Sequence, residues 1–100
     1  MEVIYALDFS QTALKDIEYF KRLGDKSIIR KIDSLLKDLE QHPLTGIGKP
    51  EILRFELSGF MSRRINGEHR LIYSINEEDM SVHVVSLKGH YEKYGQKGTS

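Results

Sequence analysis

Residues 25–57, DKSIIRKIDSLLKDLEQHPLTGIGKPEILRFEL, are where the fold is easiest to read, because the hydrophobic period changes within them. Ile28, Ile29, Ile32, Leu35, Leu36 and Leu39 recur at helical spacing and draw one apolar stripe. Lys26, Arg30, Lys31, Lys37 and Asp38 take the other side. Asp25 can cap the start, and Pro43 ends the helix by disfavouring a helical conformation at His42. Leu44 to Pro50 then reads as a loop, rich in glycine and proline. After it the pattern alternates, which predicts a strand over about Ile52–Leu57. The chain therefore turns from helix to strand near its middle.

Upstream, Met1 to Leu7 is short, apolar and β-branched, and predicts a first strand. Ser10 can cap a helix whose apolar positions are Ala13, Leu14, Ile17 and Phe20, ending at about Leu23. Gly24 stands where a left-handed residue would stop it, and so short a link predicts an antiparallel helical hairpin. Downstream, strand segments are expected at about Met61–Ile65, His69–Ile75 and Met80–Leu87, with turns at Asn66–Gly67 and Asn76–Asp79. The length of the first turn decides which arginines share a face. A two-residue loop would pair Arg63 with Arg70, whereas a loop of Asn66 to Glu68 pairs Arg64 with Arg70. The longer loop separates polar from apolar side chains better. Like charges placed opposite one another destabilise a sheet, so an Arg64–Arg70 pair makes sense if a phosphate lies between them.

The 100 residues suffice for one domain with a modest core, and the sequence contains no cysteine for a disulfide, a thiolate metal site or a thiol nucleophile. Fifteen Lys and Arg balance fifteen Asp and Glu, so any attraction to nucleic acid has to be local. It is local: Lys49, Arg54, Arg63, Arg64 and Arg70 outnumber the acids around them. The start lacks the charge and long apolar run of an export signal, and no stretch approaches a membrane span. A soluble, cytoplasmic protein with no membrane association is expected.

Lys49, Glu51, Arg54, Arg64, Arg70, His90 and Tyr91 supply the side chains needed to cleave RNA without a metal ion. A carboxylate or imidazole must take the proton of the ribose 2′-hydroxyl. Guanidinium groups must balance charge growing on phosphorus, and a second acid must protonate the departing 5′-oxygen. Such a set also occurs on ordinary surfaces, so residue types alone do not single out a ribonuclease. Gly46, Gly48 and Lys49 lack the spacing of a phosphate loop. His42, His69, His83 and His90 show no ligand spacing on one helix, and neither metal nor other cofactor is expected. His69 falls on the apolar side of its strand and reads as structural, as does His83. Tyr5, Tyr19 and Phe20 read as core aromatics.

The order of the motifs carries more than their composition. GIGKPEIL (46–53), LSGFMSRRI (57–65), EHRLIY (68–73) and the pair His90-Tyr91 closely resemble the YoeB/Txe family within the RelE toxin superfamily, over nearly the whole chain from Ile4 to Tyr91. The resemblance implies an α+β, RelE-like fold: an N-terminal strand and an antiparallel helical hairpin packed on a twisted, mainly antiparallel sheet. It implies a toxin of a type II toxin–antitoxin system, an endoribonuclease that cuts mRNA in the ribosomal A site and inhibits translation. The implied partners are a YefM-like antitoxin, the ribosome and mRNA, and a homodimer is compatible with it. By position, Glu51 matches the family's general base, His90 its general acid, Arg70 its transition-state arginine and Tyr91 its terminal substrate-contacting tyrosine. Arg64 matches a further active-site arginine, and Arg54 stands where lysine is more usual. Family members commonly stop at or just after the tyrosine, so residues 1–91 read as the toxin domain and 92–100 as a flexible tail beside the site. The alternative reading is a catalytically weak or silent module that binds antitoxin and acts in operator autoregulation.

Overall fold

Local chemistry starts and stops the two helices where the sequence pattern places them. The computed structural model describes residues 4–89. Helix α1 (Gln11–Leu23) opens on Ser10, whose Oγ accepts the Ala13 N–H at 2.9 Å, and closes on Gly24 at φ +73°. Helix α2 (Lys26–Gln41) opens on Asp25, whose carboxylate accepts the N–H groups of Ser27 and Ile28. It stops ahead of His42 and Pro43. Each cap satisfies N–H groups that have no partner within the helix.

Five strands follow the expected order with altered limits: β1 (Ala6–Phe9), β2 (Glu51–Ile52), β3 (Met61–Arg64), β4 (Arg70–Asn76) and β5 (Ser81–Ser86). They form one sheet in the order β1-β5-β4-β3-β2. β1 runs parallel to β5, with Asp8 opposite His83, and every other pair is antiparallel. The antiparallel helical hairpin packs on one face. Phe20, Leu35, Leu39, Leu71, Tyr73, Val82, Val84 and Leu87 are fully buried between the two layers.

Three expectations are corrected. Of the strand expected over Met1–Leu7, residues 1–3 lie outside the described residues; among the described ones β1 starts at Ala6 and runs on to Phe9, because the residues that find a parallel partner in β5 are those just before the Ser10 cap. The strand expected over Ile52–Leu57 is only two residues long. Leu53 turns into the core, and Phe55–Leu57 form a 3-10 turn whose Leu57 and Ser58 amides bond to Arg54 and Phe55 carbonyls instead of a ladder. Phe55, at φ +59°, is left 77% exposed, so the apparent alternation was misleading. On α1, Leu14 faces solvent, and the buried stripe contains Asp16 beside Ala13 and Phe20. The Asp16 carboxylate is satisfied by the Leu87 N–H at 2.8 Å.

Candidate functional site

The site grows from the β3–β4 hairpin. Ile65 and Asn66 amides bond to the His69 carbonyl, and Asn66 Oδ1 accepts the amides of Glu68 and His69 at 2.8 Å each. The loop is therefore Asn66 to Glu68, and Arg64 stands opposite Arg70 as the longer-loop register requires. Ser62 pairs with Ile72, and on the next strand Glu51 pairs with Ser62. Directly opposed residues project to the same side, so Glu51, Ser62, Arg64 and Arg70 share the face away from the helices.

Arg70 is the centre of that face. Its Nη1 donates to Ser62 Oγ at 2.9 Å and lies 3.3 Å from Glu51 Oε1. The guanidinium is mostly buried while Glu51 is half exposed, which leaves the carboxylate open to a ligand. Arg64 is exposed across from it. Lys49, two residues before Glu51, is exposed and holds φ +54°. Arg54 is exposed at the start of the 3-10 turn, past the end of β2. His90 and Tyr91 lie outside the described residues. The chain is followed to Gly89, whose carbonyl accepts the Arg70 N–H at 3.0 Å. Among the described residues, no three His, Asp or Glu side chains gather as a metal-ligand group.

Beneath this face sits a buried charge. Arg63 is completely buried and so adds nothing to the basic surface, contrary to its inclusion there. Its Nη1 donates to Asp38 Oδ2 at 2.5 Å and to the Ile47 carbonyl at 3.2 Å. Nη2 donates to the carbonyls of His42 and Thr45, and Nε to the Tyr73 hydroxyl at 3.1 Å. Tyr73 in turn donates to the Pro43 carbonyl at 2.9 Å. One guanidinium thus gathers residues 42–47, the loop that delivers Lys49 and Glu51. Asp38 is not the solvated residue its place on α2 predicted. Burial works against its charged form, but hydrogen bonds from Arg63, His42 and the Ile47 amide, with the Arg63 charge, hold its carboxyl below the usual range. Burial pushes the Tyr73 hydroxyl up, against the opposing pull of Arg63.

Glycine is required where this loop closes. A Cβ on Gly46, at φ +114°, would come within 1.9 Å of Asp38 Oδ2, and one on Gly48 within 2.7 Å of a Leu35 methyl. Gly48 also binds the sheet, its carbonyl accepting the Arg64 N–H at 2.7 Å. A charged residue at an inward position between Met61 and Ile65 was the available signal for this cluster, since arginine is rarely fully buried unless paired. Ser62 gave no such signal. His69 is buried, as expected, with its ring edge-on to Phe20. His83, read as structural, points outward from β5 and pairs with Asp8 of β1.

A helical hairpin on one face of this sheet, with a carboxylate and arginines on the other, defines the class as RelE-like toxins. The chain belongs to the YoeB-like toxins of bacterial type II toxin–antitoxin systems, whose family description matches residues 9–91. Toxin YoeB of Escherichia coli K12 is 41% identical over 85 residues, covering 85% of this chain and 98% of that protein. A YoeB/ParE toxin from Agrobacterium tumefaciens superposes with a TM-score of 0.80 at 31% identity, covering 86% of this chain and 99% of the other. YoeB of Staphylococcus aureus is 43% identical, and each structure covers 87% of this chain and 98% of the other. It has been solved in a heterotetrameric YoeB–YefM complex (TM-score 0.74) and as a dimer (0.76).

Proposed function

We propose that this chain is a ribosome-dependent, metal-independent endoribonuclease that cuts mRNA in the A site and thereby inhibits translation. The observation that carries the reading is the Glu51–Arg70 ion pair of 3.3 Å on the face of the sheet away from the helices, with Arg64 opposite Arg70. Glu51 takes the proton of the ribose 2′-hydroxyl, and that oxygen attacks the adjacent phosphorus. Arg70 and Arg64 balance the charge that accumulates on the phosphoryl oxygens. The bond to the 5′-oxygen breaks as His90 protonates it, leaving a 2′,3′-cyclic phosphate and a 5′-hydroxyl. Tyr91 contacts the substrate, and Lys49 and Arg54 bind RNA phosphates on either side of Glu51.

Residues 1–91 act as the toxin domain and 92–100 as an appended tail. The S. aureus complex supports a YefM-like antitoxin as the partner, and the S. aureus dimer supports self-association. The working compartment is the cytoplasm, where ribosomes are. The test is cleavage of mRNA on programmed ribosomes by the parent and by Glu51→Gln. Loss of a general base predicts a rate lower by about 100-fold or more. Equal cleavage by both proteins would refute the assignment of Glu51, and no cleavage by the parent would refute the ribonuclease reading.

A further inference from the structure

The Arg70 side chain does not stay in line with the residue its backbone faces. In the β3–β4 register Arg70 stands opposite Arg64, and Ser62 stands opposite Ile72. Yet Arg70 Nη1 reaches diagonally over β3, donating to Ser62 Oγ at 2.9 Å and lying 3.3 Å from Glu51 Oε1 on β2. Diagonal neighbours on adjacent strands are within reach of long side chains. The guanidinium is thereby drawn from the like charge opposite it towards a hydroxyl and a carboxylate. Ser62 has no exposed surface, and its neighbours Met61 and Arg63 are buried on the other side of β3. A serine is the smallest side chain that offers an acceptor at such a place.

The two contacts of Nη1 are unequal. The bond to Ser62 has an ordinary hydrogen-bond length, whereas the 3.3 Å to Glu51 exceeds the about 2.7–2.9 Å of a charge-assisted bond. Without a competing acceptor, an arginine beside a carboxylate closes on it as a two-pronged pair. Closed in that way, Arg70 would occupy the oxygens that must take the 2′-hydroxyl proton and would turn its N–H groups from the phosphate. We infer that Ser62 is a positioning residue: its hydroxyl oxygen holds Arg70 Nη1 short of Glu51, keeping the carboxylate available as a base and the rest of the guanidinium for the phosphoryl oxygens. This rests on the ribonuclease reading above. The guanidinium is mostly buried, so an Nη1 that loses Ser62 has little water to turn to and has Glu51 already beside it.

Two substitutions separate the hydroxyl from the space it fills. Ser62→Ala removes the acceptor, and Ser62→Thr keeps it on a β-branched side chain suited to a strand. Single-turnover cleavage at saturating programmed ribosomes is expected to drop roughly 10- to 100-fold for Ala and to stay within about 3-fold of the parent for Thr. The half-saturating ribosome concentration should not change, because the loss is in the orientation of a reacting group and not in binding. In NMR spectra the Arg70 guanidinium N–H resonances should move in the Ala variant and keep their places in the Thr variant. An Ala variant as fast as an active parent overturns the inference, as does a loss confined to the half-saturating concentration or a guanidinium signal that Ala leaves unmoved. A Thr variant no faster than Ala also overturns it, since a hydroxyl that gives no rescue is the mark of packing alone. A parent that cleaves nothing removes the ribonuclease reading and this role with it, an outcome distinct from an active parent with an unaffected Ala variant.

Discussion

Replacing Arg63 by methionine, a side chain of similar reach without charge, tests whether one buried guanidinium holds the loop that carries Glu51. The substitution takes the donor from Asp38 Oδ2 and from the carbonyls of His42, Thr45 and Ile47. Removing one member of a buried ion pair destabilises by about 3–5 kcal/mol. Asp38 keeps its bonds from His42 Nδ1 and the Ile47 amide and is 18% exposed, which points to the lower end, about 3 kcal/mol. Since residues 44–47 are open to water, the orphaned carbonyls add about 1 kcal/mol together rather than each. The sum, about 4 kcal/mol, is a large share of the roughly 5–15 kcal/mol that stabilises a domain. At about 4–8 °C per kcal/mol, Tm should fall by roughly 15–30 °C. Urea unfolding at pH 7, followed by circular dichroism, measures the loss. Adding Asp38→Asn removes the stranded carboxylate, so the double variant should be better than the sum of the singles by about 1–3 kcal/mol. A single-variant loss below about 1 kcal/mol, or strict additivity, would refute the argument that this pair organises the loop.

Other consequences are local. Gly46→Ala forces a Cβ into the Asp38 carboxylate at a φ of +114° and should cost at least about 2 kcal/mol, whereas Gly24→Ala meets nothing within 4 Å and should cost only about 1 kcal/mol for the left-handed backbone. Comparing the two urea midpoints distinguishes collision from backbone strain. The depressed Asp38 carboxyl makes stability depend on acid. Its contribution is complete above the ordinary value of 3.8 and is lost as pH falls through the lower, folded value. The stability gap between the parent and Asp38→Asn should therefore be constant from pH 7 to about 5 and shrink towards pH 3; a gap that widened on acidification would contradict the direction of the shift.

The features legible in the residues are those with a short reach along the chain. Ser10 and Asp25 cap the helices they precede, Gly24 ends the first, and the stripe from Ile28 to Leu39 faces the sheet. The Asn66–Glu68 loop likewise sets the Arg64–Arg70 register, because turn length and face alternation are properties of adjacent residues. Motif order identified the family and nominated Glu51, Arg64 and Arg70, which the sheet places on one face. Tertiary structure alone decided what those residues touch. Arg63 finds Asp38 across 25 positions, Gly89 finds His69 across 20, and β1 finds β5 across the whole domain. No periodicity records such pairings, since partners are chosen by how the layers close and by the demand that a buried charge or amide be satisfied. The same closure buries Leu53 while its N–H still bonds to the Phe60 carbonyl at 3.0 Å, and the 3-10 turn that follows leaves Phe55 facing solvent.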